Sequence, residues 1–167
     1  VAAKCVRLAI ASVFTPIAVN KRRVVWLQLF GWRKLGKYHL MAKNIAIVYH
    51  SGFGHTAKLA DYIALGVSQV AEVEVYLLSV DNIDWDILAA ADAIIMGCPT
   101  YMGSASAPFK TFMDASSKAW SQQVWQGKLA AGFTNSGGLS GDKLAVLQQI
   151  HLFAMQHGML WVGMPLQ

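Results

Sequence analysis

The sequence predicts an α/β domain built on a doubly wound parallel sheet. Two observations carry that expectation. From residue 41 onward, short apolar runs that end at turn residues alternate with stretches of helical spacing. Such alternation is the pattern of βαβ units joined by right-handed crossovers. Two of the runs, NIAIVY (44–49) and AIIMG (93–97), are apolar almost throughout, as strands covered on both faces must be.

The elements follow in order. The first strand, 44–49, passes through the polar, glycine-punctuated turn HSGFGHT into a helix over 56–70, with Leu59, Ile63 and Val67 at four-residue spacing. EVEVYLL (72–78) alternates, which suits an edge strand with one wetter face. A short helix covers 85–90, with Asp81, Asp84 and Asp86 around it as a solvated face and cap. After the strand 93–97 comes a helix over 107–119 carrying Phe109, Phe112 and Met113. LAAGFT (129–134) is the fourth strand and MLWV (159–162) the fifth; between them lies a helix over 142–157, stopped by Gly158.

The chain has 167 residues, 55% of them hydrophobic and 14% charged, with a net charge of +5. That composition suits one well-packed domain and excludes a disordered chain. Residues 1–40 carry eight Lys/Arg and no acid, whereas 41–167 carry six Lys/Arg against nine Asp/Glu. The basicity therefore belongs to the first forty residues, and a nucleic-acid partner is not expected. Those residues hold an apolar run, 8–19, broken by Pro16, which is shorter than the roughly twenty residues of a membrane span. A signal or transit segment, a membrane-surface anchor and an upstream extension outside the fold all remain open for 1–40. The expected division is an extension over 1–40 and a domain over 41–167. Cys5 and Cys98 fall in the two differently composed parts; a disulfide framework is not expected, and a reducing, cytoplasmic setting fits.

In a doubly wound sheet, ligands sit beyond the C-terminal strand ends where strand order reverses. Three loops lie there. In the first, 50–56, glycines let the backbone turn tightly, Ser51 and Thr56 add hydroxyls, and the following helix adds free N–H groups. Without a lysine or a third glycine it is neither a P-loop nor a dinucleotide fingerprint, and a monophosphate fits best. The second, GCPTYMGSASAPFK (97–110), offers a wall of Thr100, Tyr101, Met102 and Gly103 behind Pro99. The third, TNSGGLSGDK (134–143), offers Asn135, Ser136, paired glycines, and Ser140 or Asp142 as helix cap. An ordinary strand–helix turn, partial core and a flexible loop are the plain alternatives for the three. Metal and hydrolase chemistry find no support: His50 and His55 lack a third ligand, and there is no G-x-S-x-G elbow.

The motifs YHSGFGHTAKLA, ADAIIMGCPTYMGSASAPFKTFMD, GKLAAGFTNSGG and QHGMLWVGMP stand in this order between residues 49 and 165. In them the chain resembles the flavodoxin-like, FMN-dependent NAD(P)H:quinone oxidoreductases of the tryptophan-repressor-binding-protein (WrbA) type. The resemblance implies a three-layer sheet of strand order 2-1-3-4-5. It implies that Ser51, Phe53, Gly54, His55 and Thr56 hold the flavin phosphate. Pro99, Thr100, Tyr101, Met102 and Gly103 would lie along the isoalloxazine. Thr134, Asn135, Ser136, Gly137 and Gly138 would offer donors to its pyrimidine edge. Where the family has His-His-Gly-Met, this chain has Gln156-His157-Gly158-Met159, and His157 is the candidate proton helper. The family's insertion after the second strand is missing, and the fold is expected to stop at Gln167 before its last helix.

The implied activity is a ping-pong transfer of hydride from NADH or NADPH through FMN to a quinone-like acceptor. The flavin carries that chemistry, and the protein supplies position and electrostatics. A one-electron carrier of flavodoxin type and a shortened module with impaired FMN binding are the alternatives. Neither a membrane span nor a metal is expected, and a homo-oligomer is left open.

Overall fold

The computed structural model describes residues 42–139 and 141–163. Its elements are β1 (Lys43–Tyr49), α1 (His55–Val67), β2 (Val73–Ser79), α2 (Trp85–Ala90), β3 (Ala93–Tyr101), β4 (Ser104–Ala105), α3 (Ala107–Ala115), α4 (Ser117–Ser121), β5 (Leu129–Asn135), α5 (Lys143–Gln156) and β6 (Leu160–Trp161). The sheet runs β2-β1-β3-β5-β6, with β4 attached to β3 alone. Every pairing along that path is parallel. This is the flavodoxin-like order expected, its last two strands renumbered because a short strand, β4, intervenes.

Alternation along the strands sorts the core into two layers. Ile45 and Ile47 of β1, Ala93 of β3 and Phe133 of β5 point to the face covered by α1, where Ala60, Ile63 and Val67 meet them. Ala46, Val48, Ile94, Met96, Cys98 and Ala130 point to the other face, under Leu88 of α2, Phe109 and Phe112 of α3, and Val146 and Ile150 of α5. Gly97 lets the Phe133 ring lie flat on β3, since a Cβ there would fall 2.3 Å from the ring. At the opposite end of the sheet Asp92 accepts from Lys43 Nζ and the Asn44 N–H, both at 2.9 Å, and aligns the starts of β1 and β3.

Three differences from expectation go beyond small shifts of element ends. The third strand continues through Pro99 to Tyr101 and turns back as a hairpin, with Thr100 opposite Ala105 and Tyr101 opposite Ser104. Pro99 is tolerated because β1 has already ended opposite Gly97, so on that side no neighbour needs its missing N–H. The expected helix over 107–119 is two, α3 and α4, broken at Ser116, whose hydroxyl turns back to the Met113 carbonyl at 2.7 Å. Asp142 stands at the start of α5 with φ 28° and makes no side-chain cap bond; Ser140, the other expected cap, lies outside the described residues, as do residues 1–40 and the chain end. Gly158 does stop α5 in the left-handed conformation, φ 68°. Among the described residues no helix is long and apolar enough to cross a membrane.

Candidate functional site

The three loops do meet at the C-terminal ends of β1, β3 and β5, and hydrogen bonds lock them together. Thr56 Oγ1 donates to Asn135 Oδ1 at 2.6 Å, joining the first loop to the third. Thr134 Oγ1 donates to the Cys98 carbonyl at 2.7 Å, so Thr100 Oγ1 is the donor in its 2.9 Å bond to Thr134. His50 Nδ1 lies 2.8 Å from Ser106 Oγ, both side chains buried, and ties the first loop to the start of α3. Cys98 is buried beneath them, and burial pushes its thiol above the ordinary range although Ser106 hydrogen bonds oppose this. It is inert packing, as a thiol kept protonated must be.

These bonds give several of the expected site residues partners within the protein. The hydroxyls of Thr56, Thr100 and Thr134 brace the loops, and other donors remain free for a ligand. The first loop supplies them. The backbone N–H groups of residues 51–56 donate to no backbone carbonyl among the described residues. Ser51 Oγ is buried and has no partner, a state that costs about 1–3 kcal/mol unless something accepts its proton. Gly54 takes φ 86° at the cap of α1, and the first turn of that helix has no acidic residue. An orphaned donor, free N–H groups and the positive end of a thirteen-residue helix make a cradle for an anion, and the terminal phosphate of FMN fits it. His55 is exposed beside this cradle.

Above the cradle the second loop forms an open apolar shelf. Met102 and Gly103 both take positive φ, 49° and 74°, the turn that a two-residue hairpin favours. The turn leaves Met102 fully exposed, while Tyr101 meets Phe53 edge-on at 6.3 Å. Gly52 lets Tyr101 settle over the first loop, since a Cβ there would come within 2.5 Å of Tyr101 Oη and push the ring aside. From α5, Gln149 Oε1 accepts from Ser104 Oγ and the Ala105 N–H, both at 3.1 Å, and fixes the hairpin's return strand. Gln149 carried no signal in the sequence, and His50 carried one only as half of a histidine pair without a third ligand. A separate cleft of about 580 Å³ is lined by Val80, Ile83 and Trp85 together with Pro108 and Phe112.

The third loop is closed on itself. Lys143 Nζ donates to Ser136 Oγ, Gly138 O and Leu139 O at 2.7, 2.9 and 3.1 Å. The Ser136 proton goes to Gly138 O at 2.9 Å. The N–H groups of Gly137 and Gly138 meet no backbone carbonyl among the described residues.

His157 is not part of this constellation in the chain, which corrects its reading as a proton helper. It follows α5 and precedes β6, so it lies at the end of the sheet away from the three loops. There it is buried, with Nε2 2.9 Å from Ser116 Oγ and its ring 4.2 Å from Trp125 and 4.8 Å from Phe153. Burial lowers its pKa from 6.5 to about 4. An unfolded histidine keeps the ordinary value, so unfolding takes up a proton between those two pH values. The stabilisation is complete above pH 6.5 and is lost as pH falls towards 4, by about 3 kcal/mol. Urea titrations at pH 7 and pH 4.5 should show this slope in the wild type and a shallower one in His157→Gln; equal slopes would contradict it.

Comparison with known proteins bears on the family and the fold. A family model described as NADPH-dependent FMN reductase matches residues 85–165. The chain is 46% identical over 129 residues to the protein named flavodoxin FldP of Pseudomonas aeruginosa, covering 75% of this chain and 68% of that one. It is 30% identical over 143 residues to an NAD(P)H dehydrogenase (quinone) of Chromohalobacter salexigens, covering 73% and 71%. Among solved structures it is similar to a flavodoxin, WrbA-like protein from Agrobacterium tumefaciens, with a TM-score of 0.66 at 49% identity over 72% of this chain and 76% of that one.

Proposed function

The chain belongs to the flavodoxin-like family of FMN-dependent NAD(P)H:quinone oxidoreductases, and from that premise we propose that it passes hydride from NADH or NADPH to a quinone or a similar flat acceptor. It is an FMN-binding oxidoreductase of flavodoxin-like fold. The bound flavin supplies the hydride chemistry. The observation that carries the reading of the site is the buried, unpartnered Ser51 hydroxyl in the loop before α1.

In this reading residues 51–56 grip the phosphate, chiefly through backbone N–H groups and Ser51 Oγ. Pro99, Thr100, Tyr101, Met102 and Gly103 shape the wall along the ring system, and Gly137 and Gly138 turn N–H groups to its pyrimidine edge. Donors already in place there stabilise negative charge without reorganising. The exposed face between Phe53 and Met102 leaves room for a flat partner to stack, first the nicotinamide and then the acceptor. The unit that does this is 41–167, with residues 1–40 outside it.

A second reading has an observation of its own. The relative at 46% identity is named a flavodoxin, so a one-electron carrier is the competing function. Mixing the FMN-loaded chain with NADH or NADPH separates the two. We expect loss of the yellow absorbance without any added reductase, and its return on adding benzoquinone. A chain reduced only by a partner reductase is the carrier.

A further inference from the structure

We propose that Lys143 is the cation that stabilises the negative charge gained by the flavin on reduction, and that it thereby raises the midpoint potential of the bound FMN. The proposal rests on the reading above, in which the third loop faces the flavin's pyrimidine edge.

Three acceptors saturate the three donors of the Lys143 ammonium: Ser136 Oγ, Gly138 O and Leu139 O. All three belong to the loop that leaves β5, so the charge is anchored on the loop itself rather than swinging in solvent. The loop is built to close around it. The Gly141 N–H donates to Gly138 O at 3.3 Å, and a Cβ at Gly141 would lie 2.9 Å from Ser136 Oγ. Among the described residues the charge also has no counter-ion within ion-pair distance. The ion pairs among the described residues are Lys43–Asp92 and Lys110–Asp114, and neighbouring Asp142 instead faces Gly103 of the hairpin. A half-buried cation held only by neutral oxygens keeps its field for whatever lies on the loop's other side.

The same contacts orient that side. In a trans peptide the carbonyl and the N–H point in opposite directions. A Gly138 carbonyl drawn onto Lys143 therefore turns the N–H of Leu139 away from the ammonium. Lys143 thus acts in two ways on one target: a fixed positive charge, and the Leu139 N–H dipole presented outward. Both favour an anion more than a neutral ring, so both favour the reduced flavin over the oxidised one. Lys143 is a positioning and electrostatic residue; the flavin touches the loop, not its ammonium.

Linkage converts this into a measurement, because a ratio of affinities for two redox forms is a shift in potential. The full chain is loaded with FMN and titrated potentiometrically as wild type, Lys143→Gln, Lys143→Met and Lys143→Arg, with the affinity for oxidised FMN measured in each. Lys143→Gln keeps a donor and removes the charge. We expect its preference for reduced over oxidised FMN to fall about tenfold, which for a two-electron couple is about 30 mV lower. Lys143→Met should fall at least as far, and Lys143→Arg should stay near the wild type. An unchanged potential in Lys143→Gln with FMN still bound overturns the proposal. A fall in Lys143→Arg equal to that in Lys143→Gln also overturns it, since loop shape rather than charge would then be responsible. A wild-type chain that takes up no FMN removes the parent reading and this one together.

Discussion

Ser51→Asp is expected to weaken FMN binding by at least about a thousandfold. Ser51 Oγ, in the loop that leads into α1, is buried with no partner. A carboxylate there would meet the phosphate at close range, and like charges about 4 Å apart near a protein surface repel by about 4 kcal/mol. The hydrogen bond to a charged group, about 1.5–3 kcal/mol, is lost as well. Ser51→Ala loses only that bond, about ten- to a hundredfold in affinity. In the ligand-free chain Ser51→Ala should be as stable as the wild type or more so, because it removes an unsatisfied buried hydroxyl. Fluorescence titration with FMN and urea unfolding of the same variants read both effects. Opposite directions for affinity and stability are what a binding hydroxyl predicts; a merely structural one would lose stability.

The second large effect is on the fold. Trp125 is buried and stacks on Trp85 and Phe112 with centroids 6.4 Å apart, while Phe153 meets it edge-on at 6.1 Å. Trp125→Ala should cost about 3–5 kcal/mol of stability, a large part of the roughly 5–15 kcal/mol available to a domain. Trp125→Phe, which leaves a smaller void, should lose less. Because the cluster lies under α2 and α3 and not at the three loops, Trp125→Phe should bind FMN as the wild type does. Urea midpoints and FMN titrations check both statements; a Trp125→Ala chain of wild-type stability would contradict the packing account.

Much of this was legible in the sequence, for physical reasons. The apolar runs at 44–49 and 93–97 could only be strands covered on both faces, and β1 and β3 are such strands. The alternation at 72–78 marked an edge, and β2 is one. The joining of strand to helix through Gly54 was legible because the turn needs positive φ there. The hairpin was not legible, because Met102 takes a positive φ where glycine or asparagine would announce a turn. The break at Ser116 depends on a hydroxyl turning back to Met113 and meeting His157, forty-one positions away. Long-range pairings of this kind leave no local pattern. They also explain why Thr56 and Thr134 read as ligand donors while their hydroxyls, with that of Thr100, brace one loop against another. Lys143 escaped notice for a related reason: a lysine at the start of a helix looks solvated until the loop before it folds back.

The account turns on whether an anion is held where β1 gives way to α1. The most direct measurement is a parallel titration of the wild-type chain with FMN and with riboflavin, which differ by the phosphate alone. If the cradle grips that group, FMN binds at least about a hundredfold more tightly. Equal affinity for the two flavins would contradict the account.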